Sequence, residues 1–319
     1  MRWEDLEQSS NIEDRRGESG YVASGGGGLG GIPIGGGGLG LGTIAVITLV
    51  GWGVFGISPI QMLALLSGNG GHTQTYQQPS RPTAPTTARR TGVPTGDVGN
   101  FVSRILGSTE VQWKEILGQA GQTYRPPTLV MFTGSTDAAC GGVARSSTGP
   151  FYCPQDQRVY LDASFFREIE TRFNGCSGAA CQFSQAYVVA HEVGHHVQNL
   201  LGILPKVQAR QHAVGQVDAN KLQVRVELQA DCFAGVWANH ENARQQRQGK
   251  PPFFDPSDVA AALQTASAIG DDTLERKATG RVVPDSFTHG SSAQRQRWFQ
   301  TGLTQGTIAA CDTFAAGSP

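Results

Sequence analysis

The stretch "YVVAHEVGHHVQNLLG", residues 187–202, places His191 and His195 four positions apart, with Glu192 directly after the first histidine. Its apolar residues recur at helical spacing, and Gly202 is typical of the residue that follows a helix end. Residues four apart lie on one face of a helix, so both imidazole rings can bind one cation, and neutral imidazole is a preferred ligand of Zn²⁺. Glu192 lies roughly 100° further round the helix, where it can accept a proton from a metal-bound water. The stretch therefore predicts two ligands of a zinc site together with its general base.

A second stretch, "RVELQADCFAGVW" at residues 225–237, supplies what such a site lacks. Glu227 and Asp231 are four apart on the polar side of an otherwise apolar helix. Glu227 would complete a set of two histidines and one carboxylate, which leaves the fourth position of zinc open for water. Asp231 would accept the free N–H of a ligating histidine and fix its tautomer. A solvated acidic pair is the alternative, but the apolar neighbours predict a buried helix, in which carboxylates need partners.

The order His-Glu-x-x-His, then Glu-x-x-Ala-Asp, resembles gluzincins related to the CAAX-prenyl endopeptidases. The chain is more closely similar to the bacterial neutral zinc metallopeptidase family (YpfJ-like), and the resemblance covers nearly its whole length. It implies a zincin-like catalytic domain of the α+β class, a Zn²⁺ cofactor and a peptide or protein substrate. By matching position it implies His191, His195 and Glu227 as ligands and Glu192 as the catalytic base. The stretches that carry it are "MRWEDLEQSSNIEDRR", "GPFYCPQDQRVYLD", "VVAHEVGHHVQNLLGI", "ELQADCFAGVWA" and "SFTHGSSAQRQRWF".

His289, in "DSFTHGSS" at residues 285–292, is a further candidate for the catalytic site. It precedes a predicted helix, and its segment resembles the Thr-His stretch of the related peptidases. A histidine there can donate a hydrogen bond to the oxygen on which negative charge develops. The alternative is a residue that caps or packs the last helix.

The predicted elements mix strands and helices. Apolar β-branched and aromatic runs at residues 128–134 and 158–166 are typical of strands. Helices are predicted at residues 182–201 and 219–248, from a Ser/Thr cap at residue 108, after Pro256, and near Ser291. An extended substrate could add as a strand beside "RVYLD", residues 158–162.

The charge balance excludes a basic nucleic-acid-binding surface. The formal net charge is −1, and the residues from Val98 onward hold 19 basic and 19 acidic side chains. All six cysteines lie in this part of the chain, and none forms a CxxC pair. An even set predicts disulfides and an oxidising compartment, with buried free thiols as the alternative. Of the 15 possible pairings we favour Cys140–Cys153, Cys176–Cys181 and Cys232–Cys311.

The N-terminal part differs in composition, because residues 19–80 contain no charged side chain. We divide the chain into a glycine-rich cytoplasmic segment (1–42), a transmembrane helix (43–66), a flexible linker (67–97) and a catalytic domain (98–319). Residues 43–66 are long enough to cross a bilayer, and a buried helix or a cleaved signal peptide fits them less well. Basic residues precede the apolar stretch and are lacking directly after it. This bias predicts a single-pass protein of the bacterial inner membrane with a periplasmic or extracytoplasmic catalytic domain.

The sequence thus predicts a membrane-anchored zinc metallopeptidase. A zinc-stabilised binding protein without turnover is the alternative from another class, and a hydrolase of non-peptide amides is a third. Glu192 argues against the binding protein, since a structural zinc site needs no base. Neither the oligomeric state nor the substrate sequence follows from these motifs.

Overall fold

The computed structural model describes residues 1–18, 91–140, 142–171, 176, 181–315 and 317. The predicted transmembrane helix at 43–66 and most of the predicted linker lie outside these residues. Within the described ranges, no helix is both long and apolar enough to span a bilayer.

The strands form a mixed four-stranded sheet and a separate two-stranded hairpin. In the larger sheet the order is β1-β2-β6-β5, with β1, β2 and β6 parallel and β5 antiparallel to β6. The central strands β2 and β6 are apolar and buried, as expected for strands covered on both faces. The strands are β1 (Ile12–Asp14), β2 (Thr128–Phe132), β3 (Ser135–Ala138), β4 (Gly142–Arg145), β5 (Phe151–Cys153) and β6 (Arg158–Asp162).

Helices make up most of the rest of the described chain and confirm the predicted α+β class. Of the described helices, α5 (Gln216–Arg247) is the longest, and α3 (Cys181–Leu200) and α8 (Ser292–Gln305) pack against it in one apolar core. The helices are α1 (Gly96–Gln119), α2 (Phe165–Thr171), α3 (Cys181–Leu200), α4 (Ile203–Gln211), α5 (Gln216–Arg247), α6 (Pro256–Ala268), α7 (Asp271–Thr279) and α8 (Ser292–Gln305).

The predicted helix start at Ser108 is wrong. Helix α1 begins at Gly96, and Ser108 is fully buried in its middle. The Ser108 hydroxyl donates to the Glu241 carboxylate at 2.9 Å and accepts from the indole N–H of Trp237 at 2.9 Å. Packing against α5 therefore explains this serine, which resembles a helix cap only in sequence.

The N-terminal residues belong to the same folded body as the residues after 91. Strand β1 pairs in parallel with β2, and the side chains of Leu6 and Ile12 are each 1% exposed in the main core. The predicted domain start at residue 98 is therefore too late for this body, and residues 1–17 are not a separate segment. Arg15 is buried there, and its guanidinium lies 2.6 Å from the Glu13 carboxylate.

The favoured disulfide pairing is confirmed, and all six cysteines are paired. Cys140–Cys153 links the hairpin region to β5, and Cys176–Cys181 lies at the start of α3. Cys232–Cys311 ties the middle of α5 to the turn after α8. In the last bridge, Cys232 directly follows Asp231 on α5.

Candidate metal centre

Helices α3 and α5 approach closely where the two motifs face each other. A Cβ atom at Gly194 would lie 3.0 Å from the carbonyl oxygen of Ala230 and 3.2 Å from its Cα. Glycine at the centre of the first motif thus permits a contact that a larger residue would force apart. The contact brings both histidines of α3 opposite Glu227 of α5.

Three donor atoms converge there. The Glu227 Oε2 atom lies 3.2 Å from His191 Nε2 and 3.5 Å from His195 Nε2, and the three ligand atoms all lie within 4.8 Å of one another. Tetrahedral zinc with bonds of about 2.0–2.2 Å separates its ligand atoms by roughly 3.4 Å. Two neutral imidazoles and a carboxylate in this arrangement therefore fit Zn²⁺. The side chains of His191 and Glu227 are 6% and 7% exposed, so the site is largely screened from solvent.

Each of the three groups is oriented by a further partner. The Nδ1 atom of His191 lies 2.8 Å from an Asp231 oxygen, and the Nδ1 atom of His195 lies 2.8 Å from Gln198 Oε1. The second oxygen of Glu227 accepts a hydrogen bond from the Gln223 amide at 2.9 Å. Acceptors at both Nδ1 positions leave the Nε2 lone pairs directed at the shared site, which is the tautomer that metal binding requires.

Gln198 was not identified from the sequence, although it lies three residues after His195 on the same helix. Its amide nitrogen donates to the Val226 carbonyl at 2.7 Å and to Gln229 Oε1 at 3.0 Å. These contacts fix which end of the amide faces the histidine. The i, i+3 spacing was the signal that could have revealed it.

Asp231 lies where the sequence predicts, but its own partners were missed. Arg295 of α8 donates to both carboxylate oxygens at 2.9 Å, and the Tyr187 hydroxyl also contacts Asp231. Asp231 is fully buried and Arg295 is 3% exposed. The spacing within α8 gives no sign of this contact, because it depends on how α8 packs on α5.

The buried charges of the cluster favour a cation between them. Burial alone would lower the pKa of His191, but Asp231 and then Glu227 raise it to about 10. Burial would raise the pKa of Glu227, yet His195 and His191 hold it well below its ordinary value. For Asp231, burial is outweighed by Arg295 and His191, which lower the pKa to about 2. The two carboxylates are therefore ionised, and zinc would displace the proton that the raised pKa keeps on His191.

Glu192 is buried on the same helix, with 7% of its surface exposed. Burial raises its pKa, the charges of His191 and His195 lower it, and Glu227 raises it again, so that the net shift is upward. A carboxylate with a raised pKa is a better proton acceptor at neutral pH. This property matches the role of general base.

His289 lies in the loop before α8, where Asp271 holds the backbone. One Asp271 oxygen accepts from the backbone N–H groups of Thr288, His289 and Gly290 at 2.6–3.0 Å. The imidazole Nδ1 is 3.3 Å from the other oxygen, and the side chain is 51% exposed. Partial burial lowers the pKa of His289, while Asp271 and Glu227 raise it by more. The helix cap itself is Ser291, which accepts from the Gln294 backbone, so capping is not the role of this histidine.

His196, which follows His195 directly in the chain, is not part of the cluster. It is fully buried, and its ring contacts the Tyr152 hydroxyl at 3.0 Å and the Arg125 carbonyl at 2.6 Å. Both ring nitrogens are thus used in packing α3 against β5 and the loop before β2.

The motif and the three converging side chains are those expected of a zinc protein of the His-Glu-x-x-His class. Residues 1–314 match the family described as "Putative neutral zinc metallopeptidase", and the chain belongs to this family, whose cofactor is Zn²⁺. It is 42% identical over 314 residues to the Escherichia coli K12 protein named "Uncharacterized protein YpfJ", covering 98% of this chain and 99% of that protein. It is also 42% identical over 234 residues to "Uncharacterized protein Rv2575" of Mycobacterium tuberculosis H37Rv, covering 71% of this chain and 74% of that protein. No solved structure matches the chain significantly.

Proposed function

We propose that the chain is a zinc-dependent endopeptidase. The observation that carries the proposal is the convergence of His191, His195 and Glu227 with Glu227 Oε2 at 3.2 and 3.5 Å from the two Nε2 atoms. These three residues would hold the metal, and the fourth position of a tetrahedral ion would remain open. A closed structural site would instead present a fourth protein ligand.

The chemistry follows from what surrounds that position. Zinc, when bound, polarises the scissile carbonyl and makes a water molecule more acidic. Glu192 accepts the proton of the attacking water and passes it to the leaving nitrogen. His289 donates a hydrogen bond to the carbonyl oxygen as negative charge develops on it. Asp231 and Gln198 hold the two histidines in the tautomer that the ligand role needs.

The suggested substrate contact beside residues 158–162 is wrong, because β6 is paired on both sides, with β2 and β5. Strand β5 is the outer strand at that end of the sheet. Its Tyr152 hydroxyl lies 3.0 Å from both His196 and Asn199 of α3, so this edge runs next to the helix that carries the ligands. Within the part of the chain that the structure describes, no strand pairs with the other edge of β5, and we assign the extended substrate to that edge.

Placement in the cell is part of the proposal. Three disulfides within one body favour folding in an oxidising, extracytoplasmic compartment. Membrane association rests on the sequence of residues 43–66 alone, which lie outside the described residues.

The decisive experiment compares three forms of the full chain: parent, Glu192→Gln and Glu227→Gln. Proteome-wide mapping of new peptide ends should show cleavage only with the parent. Glu192→Gln should keep one zinc per chain, because an amide cannot accept the proton but is not a ligand. Glu227→Gln should bind zinc more weakly. Cleavage by a zinc-loaded Glu192→Gln form would contradict the mechanism, and normal zinc affinity in Glu227→Gln would remove it from the ligand set.

A separate test addresses His289. His289→Ala should lower turnover by roughly 10²–10³ with unchanged zinc content, as expected for loss of a donor to the developing charge. The matched control is His212→Ala, on the polar surface near the end of α4. Full activity in a folded His289→Ala protein would exclude a catalytic role.

A further inference from the structure

The first inference concerns Arg295 and rests on the proposed function. The hydrogen bonds of Arg295 go to Asp231, Tyr187 and a backbone carbonyl, so it acts on the group that orients one proposed ligand. Its Nε and Nη2 atoms each donate to a different oxygen of Asp231 at 2.9 Å. This bidentate contact fixes the plane of the carboxylate as well as its position.

The rest of the network leaves Asp231 no alternative arrangement. Oδ1 also faces His191 Nδ1 at 2.8 Å and the Tyr187 hydroxyl, and that hydroxyl lies 3.2 Å from Arg295 Nη2. All four side chains are at least nine-tenths buried, so water cannot replace a lost partner at low cost.

Close packing of α8 on α5 positions the guanidinium. A Cβ at Gly302 would lie 1.9 Å from the Cys232 carbonyl, and a Cβ at Gly235 would lie 2.2 Å from the Phe299 carbonyl. These two glycines let the helix backbones touch, two turns from Arg295. We propose that Arg295 is a positioning residue for the metal centre, which sets the orientation of His191 through Asp231.

The test measures zinc affinity by competition with a chelator, together with the absorption spectrum of the cobalt-substituted protein. Arg295→Met should weaken zinc binding by about 10–100-fold, the usual cost of losing an outer partner of a ligand, and should alter the cobalt spectrum. Arg295→Lys should recover part of the affinity, because it restores the charge without the bidentate geometry. Arg297→Met, on the exposed face of the same helix, is the control and should bind as the parent does.

Parent-like affinity in folded Arg295→Met would overturn the inference. If that variant does not fold, Tyr187→Phe removes another donor to Asp231 and should still weaken binding by several-fold, and unchanged binding there would equally overturn it. Glu227→Gln is measured in parallel. Normal zinc affinity in that variant would refute the proposed ligand set, and this result can be told apart from a failure of the Arg295 inference.

The contacts of the N-terminal residues determine on which side of a membrane the N-terminus can lie. Residues 1–17 are held along their whole length by the body that contains the metal centre. The Ser9 N–H donates to the Ser103 carbonyl at 2.9 Å, and the Ser103 hydroxyl donates back to the Ser9 carbonyl at 2.8 Å. The Glu7 carboxylate accepts two hydrogen bonds from Arg244 of α5, at 3.0 and 2.8 Å.

Both ends of the intervening residues 18–90 meet at one place. Glu13 pairs with Thr91 in an antiparallel bridge, and Gly92 N–H donates to the Ile12 carbonyl at 2.9 Å. The Arg16 guanidinium reaches the Thr95 carbonyl at 2.8 Å. The described residues on either side of this stretch therefore meet at the same edge of the sheet.

We infer that residues 1–17 lie on the same side of any membrane as the metal centre. A single crossing by residues 43–66 would place β1 and β2 in different compartments, and their pairing excludes this. The basic residues that suggested a cytoplasmic N-terminus are used inside the fold: Arg15 pairs with Glu13, and Arg16 pairs with Asp14.

The test uses two exposed serines of the full chain in its native membrane, Ser10→Cys and Ser257→Cys. All native cysteines are paired, so each variant has one reactive thiol. A membrane-impermeant maleimide is applied to spheroplasts before and after lysis. The ratio of labelling before lysis to labelling after lysis is expected to be the same at the two positions. Labelling of one position in intact spheroplasts and of the other only after lysis would overturn the inference; equal melting temperatures of both variants and the parent show that the fold is retained.

Discussion

His191 and His195 share one helix face, but the groups that orient them differ in charge. On the His191 side lies a buried ionic network of Asp231 and Arg295, to which the Tyr187 hydroxyl adds a neutral donor. On the His195 side lies a chain of two neutral amides, Gln198 and Gln229, which ends on the Cys311 carbonyl. The same outcome, a fixed tautomer, is thus reached by two kinds of hydrogen bond with different consequences when one member is lost.

The largest effect is expected from Asp231→Asn. This change leaves the buried guanidinium of Arg295 without its counter-charge, which should lower the free energy of unfolding of the metal-free protein by about 3–5 kcal/mol. Chemical denaturation measures the difference. Asp218→Asn, at the exposed start of the same helix, is the control and should change the free energy by less than about 0.5 kcal/mol. If the two variants changed the free energy of unfolding by similar amounts, the ionic network around His191 would not be specially sensitive to the loss of a member.

The charged side should also make the metal-free protein sensitive to pH. The folded pKa of His191, about 10, lies above its ordinary value of 6.5, so its contribution to stability is fully present below pH 6.5 and is lost as pH rises toward 10. The folded pKa of Asp231, about 2, lies below its ordinary 3.8, so its contribution is present above pH 3.8 and is lost as pH falls toward 2. Melting temperatures of chelator-treated protein should therefore fall from pH 6 to pH 9.

The control for this prediction is a variant on the His195 side of the site. Gln198→Ala removes no charge and should keep the fall between pH 6 and pH 9, whereas Asp231→Asn should flatten it. A profile that is equally steep in Asp231→Asn would assign the pH dependence to other groups.

A smaller effect is expected from Gln198→Ala itself. His195 Nδ1 and the Gln229 amide oxygen each lose a partner, at a cost of about 1–3 kcal/mol. Zinc affinity should fall by about 10-fold, at the lower end of the range for outer partners of metal ligands. Chelator competition measures it, with Gln208→Ala on the exposed face of α4 as the control. If Gln198→Ala lowered the free energy of unfolding as much as Asp231→Asn does, the distinction between the two sides would be removed.

Spacing along one helix was enough to predict which candidate side chains lie together, whereas their roles stay predictions. His191, His195, Glu227 and Asp231 belong to two i, i+4 pairs, and helical periodicity alone places each pair on one face. That the two pairs face each other was predicted from the family resemblance and from the set of ligands that zinc requires. The favoured disulfide pairing joined two pairs of sequence neighbours, which left Cys232 and Cys311 as the third pair, and the structure has all three.

Sequence reasoning failed where contacts join distant parts of the chain. Arg295 reaches Asp231 across 64 positions, and β1 reaches β2 across more than one hundred. Strand β1 has only three residues, and two of them are charged, so no alternation marks it as a strand. Its burial depends on Arg15 and Arg158, which neutralise Glu13 inside the fold. Such partners are visible only once the sheet is assembled.

The meeting of residues 14–17 with residues 91–95 has a practical consequence for recombinant production. A chain that begins at residue 98 would lack β1 and leave the edge of β2 unpaired, an open template for intermolecular pairing and precipitation. Retaining residues 1–17 and replacing residues 18–90 with a short glycine linker would preserve that edge, since Gly92 already donates to the Ile12 carbonyl. Such a shortened protein would omit the long apolar stretch while keeping the zinc-binding body whole, and so offers a route to crystals.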